Sequence, residues 1–409
     1  MPALDPPVLV VGGGPVGLLT AYRLHLSGLA CTVVEQHPWA RNRSRASTFQ
    51  PAVLDQLAGL DLAAPLIAAG VRVDRIRSWD LGAHRHQDLD YKVIAADTLH
   101  PFRLHLEQAA LRRLLLQRLS APGGPPLTLL EHHRVELLDS NSVDAGVRLR
   151  LRPATGGDRT VQLSGRWLVV ADGAISSLRQ QLGLSFDGVD CPEPVLRLTL
   201  PALPKAITEK LAGVTYLKAG ARSISLLQMP EGWRLILRPA SHECQRALAD
   251  DGWARGVLAE LFAPLVEPSW WQATPLQWDH YRVAQRCVPA RRVGAALVVG
   301  DAAHVTNTRG GLNMNFGLLE GLALAEALAL GSSAGATHQA LAEWALTWQA
   351  RTLDVLLPRT SRLLAGGTPL DGRRPTHDAQ ATGACVSDDA QESCLRLRQA
   401  SLLDLIAPP

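Results

Sequence analysis

A chain of 409 residues is long enough to bury a large core, and two structural domains are the expectation for it. With 41 basic and 38 acidic residues the formal net charge is +3, which excludes a global electrostatic case for binding nucleic acid or an acidic membrane surface. Hydrophobic residues make up 47% and charged residues 19%, the balance of a globular enzyme rather than a disordered or fibrous chain.

Residues 7–12 (PVLVVG) are short, apolar and β-branched and end in glycine, which predicts a buried parallel strand. Val16, Leu19, Tyr22 and Leu26 then recur at helical spacing, with Gly28 as a stop, and residues 30–35 (ACTVVE) form a second buried strand. Between strand and helix, Gly12, Gly14 and Gly17 make a G-x-G-x-x-G turn that includes Pro15 and Val16. Glycines there give a tight turn, a close backbone approach to a pyrophosphate and close packing of helix on strand, with the helix N-terminus facing the phosphates. Glu35, closing the second strand, is placed to accept hydrogen bonds from ribose hydroxyls. The turn predicts a dinucleotide without deciding between NAD and FAD.

Farther along, residues 103–119 read as an amphipathic helix, and residues 161–170 as a strand entering the core. From about 192 to 285 the pattern becomes one of short strands (195–200, 214–217, 224–227, 233–238) with five tryptophans, which predicts a mostly antiparallel sheet with one packed face and one face lining a cavity. A buried strand at 295–300 and a helix at about 315–330 follow. Beyond residue 366 the chain turns polar, with a last amphipathic piece at 395–406. The six cysteines are scattered without a CxxC pair, so neither a metal site nor a disulfide framework is expected. No basic leader precedes the first strand, and no apolar run approaches the roughly 20 residues that span a bilayer. A cytoplasmic protein without integral membrane segments, monomeric or homodimeric, is the expectation.

Residues 167–179 (WLVVADGAISSLR) resemble the DG signature of the class A flavoprotein monooxygenases, the para-hydroxybenzoate hydroxylase superfamily. Residues 300–317 (GDAAHVTNTRGGLNMNFG) resemble that superfamily's GD signature, and the three motifs follow the family's order over about residues 7–360. The resemblance implies an α/β fold: a Rossmann-like FAD-binding domain (1–74, 98–185 and 280–365), an inserted mixed or antiparallel sheet domain for substrate (75–97 and 186–279), and a tail (366–409). It implies FAD and NAD(P)H as cofactors. The implied reaction is hydroxylation by O2 of a small aromatic, phenolic or heteroaromatic substrate through a flavin C4a-hydroperoxide. A dehydrogenase on the same fold and a non-catalytic FAD-binding protein are the alternatives.

By the same resemblance, Asp301 hydrogen-bonds the ribityl chain of FAD, a role compatible with capping the turn after it. Gly310 and Gly311 lie against the flavin, and Asn313, Met314 and Asn315 open a helix whose N-terminus favours negative charge on the ring. Arg45 neutralises pyrophosphate charge, Gln108 binds FAD, and Asp172 links the pyrophosphate region to the NAD(P)H path. Arg179 and His304 are assigned to holding the local fold. Thr308 stands where the family carries proline, Arg309 follows it, and Asn313 replaces the third glycine of that loop. These departures put Thr308 and Arg309 forward as the residues that shape the reacting end of the site.

Overall fold

The computed structural model describes residues 8–40, 46–139, 146–157, 159–220, 222–330, 334–364 and 386–406. The chain folds as two compact units, one of Met1–Ala46, Glu107–Val189 and Ala284–Thr360, the other of Ser47–Leu106, Asp190–Val283 and Ser361–Pro409.

The first unit is built on a six-stranded sheet in the order Arg292–Val293, Ala296–Val298, Trp167–Val170, Val8–Val11, Cys31–Val34, Leu127–Leu130. All neighbours are parallel except the first pair. Val8–Val11 lies between the other two motif-bearing strands and is buried along its whole length, as its unbroken apolar run requires. The helix Pro15–Leu26 follows with Pro15 in its first turn, where the missing N–H costs nothing. It packs on the helix Asn313–Ala329, itself apolar nearly all round and buried accordingly. Residues 161–170 are two strands rather than one: Val161–Gly165 belongs to a separate antiparallel sheet and Trp167–Val170 enters the core.

The second unit holds a seven-stranded sheet in the order Gln277–Tyr281, Val195–Leu200, Gly232–Leu237, Arg222–Met229, Val214–Ala219, Arg75–Asp80, Arg85–Asp90. Alternation sorts its side chains. Leu196, Leu198, Leu226, Leu235 and Leu237 pack with Trp253, Phe262 and Trp271 of the helices Gly252–Phe262 and Pro268–Ala273. Tyr216, Ser225, Arg234 and Ile236 take the opposite face and are buried as well.

Residues 103–119 depart from the expected single helix: Arg103–His105 is a strand, and the helix begins only at Gln108. Arg103–His105 pairs on both edges, with Thr48–Phe49 and with Val71–Val73, and that ladder overrides the local helical spacing. Residues 47–74 and 98–106, which the sequence grouped with the nucleotide domain, accordingly lie in the second unit. The helix Val386–Ala400 lies there too, where Arg398 pairs with Asp97 and Ser401 accepts the Ala52 N–H.

Candidate cofactor and active site

The glycine turn separates into positions the protein needs and one it does not. Gly12 has φ +113°, and a Cβ on it would fall 2.1 Å from the Ala171 carbonyl oxygen. A Cβ on Gly17 would lie 2.1 Å from the Gly12 oxygen, so these two residues seat helix and strand together. Gly14 has an ordinary φ of −75°, and among the described residues nothing beyond its chain neighbours lies within 4 Å of where its Cβ would be. It caps a helix whose N-terminus has no side-chain cap and no acidic residue in its first turn. An open cradle over uncapped N–H groups fits a pyrophosphate.

Glu35 is pinned beside this cradle, its Oε2 accepting from Gly13 N–H at 2.7 Å and its Oε1 from His37 N–H at 2.9 Å. Arg112, one turn beyond Gln108 on the helix Gln108–Leu119, donates from Nε to the Gly13 carbonyl at 2.8 Å. Burial pulls its pKa down, and the Glu35 and Glu131 carboxylates oppose that. The sequence reading passed over Arg112; its spacing of four from Gln108 was the available signal. Gln108 is the first residue of that helix, half-buried, and its N–H donates to the Ala46 carbonyl. Arg45 lies outside the described residues.

Asp172 follows the strand Trp167–Val170 and accepts from the Leu178 N–H at 3.3 Å through Oδ2. Its Oδ1 is buried without a partner, and burial raises its pKa above the usual carboxylate range. An orphaned oxygen there fits a donor brought by a cofactor. Arg179 holds the fold as expected, donating to the Ala302 and Ala174 carbonyls and lying 3.8 Å over the Phe186 ring.

The second motif cluster joins the first through Val16, since a Cβ on Gly300 would come within 3.1 Å of Val16 Cγ2. Asp301 is exposed, and the Asn313 amide donates to its Oδ1 at 2.8 Å. That bond fixes the amide orientation, so Asn313 Oδ1 faces His304 Nδ1, 2.8 Å away, and Nδ1 carries the hydrogen. His304 Nε2 lies 3.3 Å from Glu320 Oε2, which also accepts the Gly300 N–H at 2.8 Å. Glu320 Oε1 pairs with Arg291 Nη1 at 2.6 Å, both side chains fully buried. The asparagine that replaces a family glycine thus ties the exposed acid to a buried ion pair.

Thr308 is exposed and Arg309 half-buried, with the Arg309 N–H donating to Asn307 Oδ1 at 3.0 Å. Gly310 and Gly311 both take left-handed backbone (φ +78° and +65°), which no other residue adopts cheaply. Asn315 Nδ2 closes the loop onto the Gly311 carbonyl at 2.7 Å, and Met314 beside it is buried. The helix begun by Asn313 again has neither a side-chain cap nor an acid in its first turn. Among the described residues no cluster of His, Cys, Asp and Glu is arranged to hold a metal, and no helix is long and apolar enough to cross a membrane.

Comparison with known proteins agrees with this geometry. The family described as FAD binding domain matches residues 5–346. Para-nitrophenol 4-monooxygenase of Pseudomonas sp. strain WBC-3 is 31% identical over 83% of this chain and 81% of its own length. Pentachlorophenol 4-monooxygenase of Sphingobium chlorophenolicum is 28% identical over 80% of this chain, which spans 58% of that longer relative. The crystal structure of p-nitrophenol 4-monooxygenase from Pseudomonas putida DLL-E4 superposes with a TM-score of 0.75 at 24% identity, covering 98% of this chain and 95% of that one. The chain belongs to the FAD-binding-domain family, as one of the class A FAD-dependent aromatic monooxygenases with the para-hydroxybenzoate hydroxylase-like fold.

Proposed function

We propose that this chain hydroxylates a small phenolic substrate with O2 and NAD(P)H, its first unit carrying FAD and its second unit the substrate. The observation that carries this reading is the match to a phenol 4-monooxygenase across four-fifths of both chains. When bound, FAD supplies the two-electron chemistry that links NAD(P)H oxidation to oxygen activation. The chain's residues bind and orient. The cradle over Gly14 and the uncapped helix N-terminus take the pyrophosphate with Arg45 and Gln108, Glu35 takes the ribose, and Asp172 offers its unpartnered oxygen. Asp301 takes the ribityl chain, while the backbone of Gly310 and Gly311 and the helix N-terminus at Asn313 face the ring. Thr308 and Arg309 shape the reacting end. We place the protein in the cytoplasm, where NAD(P)H is supplied, consistent with five free cysteines among the described residues.

The test is to screen phenols with the FAD-loaded protein for stimulated NAD(P)H oxidation and to follow labelled O2 into the product. Oxidation stimulated by phenols without label in any product would replace this reading with a dehydrogenase. Two variants probe the roles. Asp301→Ala is expected to weaken FAD affinity roughly tenfold to a hundredfold, the loss of one charge-assisted hydrogen bond; wild-type affinity by fluorescence titration would remove Asp301 from the FAD site. Arg309→Leu is expected to keep its FAD and to lose roughly tenfold or more in kcat/KM or in the rate of flavin reduction. Unchanged values of both would place Arg309 outside the chemistry.

A further inference from the structure

The turn at residues 308–311 has little of its own to hold it in one shape. Gly310 and Gly311 are both left-handed, and glycine loses more backbone freedom on ordering than any other residue. Within the turn the Gly311 N–H reaches the Thr308 carbonyl over a long 3.4 Å. Two buried asparagines hold it from outside. On the C-terminal side Asn315 donates to the Gly311 carbonyl. On the N-terminal side stands Asn307, which is 1% exposed.

The Asn307 amide is engaged at both ends, and its partners fix which way it points. Oδ1 accepts the Arg309 N–H at 3.0 Å. Nδ2 donates to the Thr360 carbonyl at 2.7 Å, and a carbonyl oxygen can only accept. Nδ2 also donates to Gln285 Oε1 at 3.3 Å, and Gln285 carries the tether further, its Nε2 donating to the Leu357 carbonyl at 2.9 Å. Gln285 is buried as well, on the strand Ala284–Cys287, whose antiparallel pairing sets Arg286 opposite Val305. Continued by one residue, that register brings Gln285 to the chain just before the turn. Thr306 Oγ1 donates to the Asn307 carbonyl at 3.1 Å, so main chain and side chain are both held. Leu357 and Thr360 lie in the first turn of the helix Leu357–Leu364. Two side-chain amides in series thus fasten a glycine turn to helical backbone, away from competing water.

We propose that Asn307 is a positioning residue for the flavin. Anchored to Thr360 directly and to Leu357 through Gln285, it fixes the backbone of Arg309, Gly310 and Gly311 and so helps set the reduction potential of the bound ring. This inference rests on the reading that places residues 310 and 311 against the flavin. Asn307 acts through the Arg309 N–H, one residue before the first glycine, and touches neither cofactor nor substrate itself.

Two measurements on the FAD-loaded protein separate the tether from its effect. Hydrogen–deuterium exchange of a peptide spanning residues 308–312 reports the turn, and the midpoint potential reports the flavin. Asn307→Ala is expected to speed exchange there at least roughly tenfold, through the loss of its buried hydrogen bonds. It should also disfavour reduction roughly tenfold, a midpoint about 30 mV lower for a two-electron couple. Gln285→Met removes one of the two anchors and should move both readings the same way by less, which keeps the test open where Asn307→Ala does not fold. Thr360→Val removes only the hydroxyl that donates to the Leu356 and Leu357 carbonyls and leaves the anchoring carbonyl in place. It should lower stability and leave the potential alone. Unaltered exchange in either anchor variant, faster exchange with an unaltered potential, or an equal shift of potential in Thr360→Val would each overturn the proposal. Both shifts in a protein whose NAD(P)H oxidation no phenol stimulates would sink the phenol reading and leave the positioning role standing.

Discussion

Gly14→Val is expected to give a folded protein that purifies without FAD. Its backbone angles of φ −75° and ψ 175° suit any L-residue, and among the described residues no atom beyond its chain neighbours lies within 4 Å of the added Cβ. The valine side chain is therefore expected to extend into the space in front of the uncapped helix N-terminus, where a pyrophosphate would sit. Flavin content, read from the flavin-to-protein absorbance ratio after denaturation, should fall from about one per chain to roughly a tenth of that or less. Stability has to be compared with deflavinated wild type, because losing a bound ligand lowers the melting temperature by itself. Gly17→Ala is the contrasting variant. Its Cβ would fall 2.1 Å from the Gly12 oxygen, a backbone atom that cannot swing aside, so it should damage folding rather than cofactor loading alone. Wild-type flavin content in Gly14→Val would move the pyrophosphate elsewhere.

The difference between Gly14 and its neighbours was not legible in the sequence, which presents three glycines of equal standing. The βαβ opening was legible, because strands buried on both faces read as nearly continuous apolar runs; Val8–Val11 is unbroken and Cys31–Val34 is interrupted only by Thr32. The strand Arg103–His105 was hidden for the opposite reason. Its three residues obey a helical spacing continuous with Leu111, Leu115 and Leu119, and only pairing with chain some 30 to 60 residues earlier makes it a strand. The burial of Arg103 and His105 there depends on partners that sequence does not display. Asn313 was legible as a departure from a family pattern but not as a bridge. Its two hydrogen bonds, to Asp301 and to His304, exist only once the helix Asn313–Ala329 is docked beside the turn Gly300–Ala302.

The largest stability effect is expected from Glu320→Gln. Glu320 is fully buried and uses both oxygens, Oε1 for Arg291 Nη1 at 2.6 Å and Oε2 for the Gly300 N–H at 2.8 Å. Whichever way a glutamine amide is turned, its NH2 group faces one of those two donors. The substitution keeps the volume and removes the charge, so Arg291, at 1% exposure, loses its only carboxylate among the described residues. Arg291 keeps its neutral partners Gln349 and Thr352, which satisfy hydrogens but not the buried charge. Breaking a buried pair from one side costs about 3–5 kcal/mol. For a unit of this size that corresponds to a fall of roughly 10 °C in melting temperature, measured on the FAD-free proteins. Removing the stranded charge as well, in Arg291→Met/Glu320→Gln, should recover most of the loss, because the amide oxygen can then serve Gly300 and its NH2 faces no charge. The single variant should also load FAD less well, since Gly300 and the chain from His304 through Asn313 to Asp301 lean on the same carboxylate. A Glu320→Gln protein that melts with wild type would show that Arg291 and Glu320 do not depend on each other.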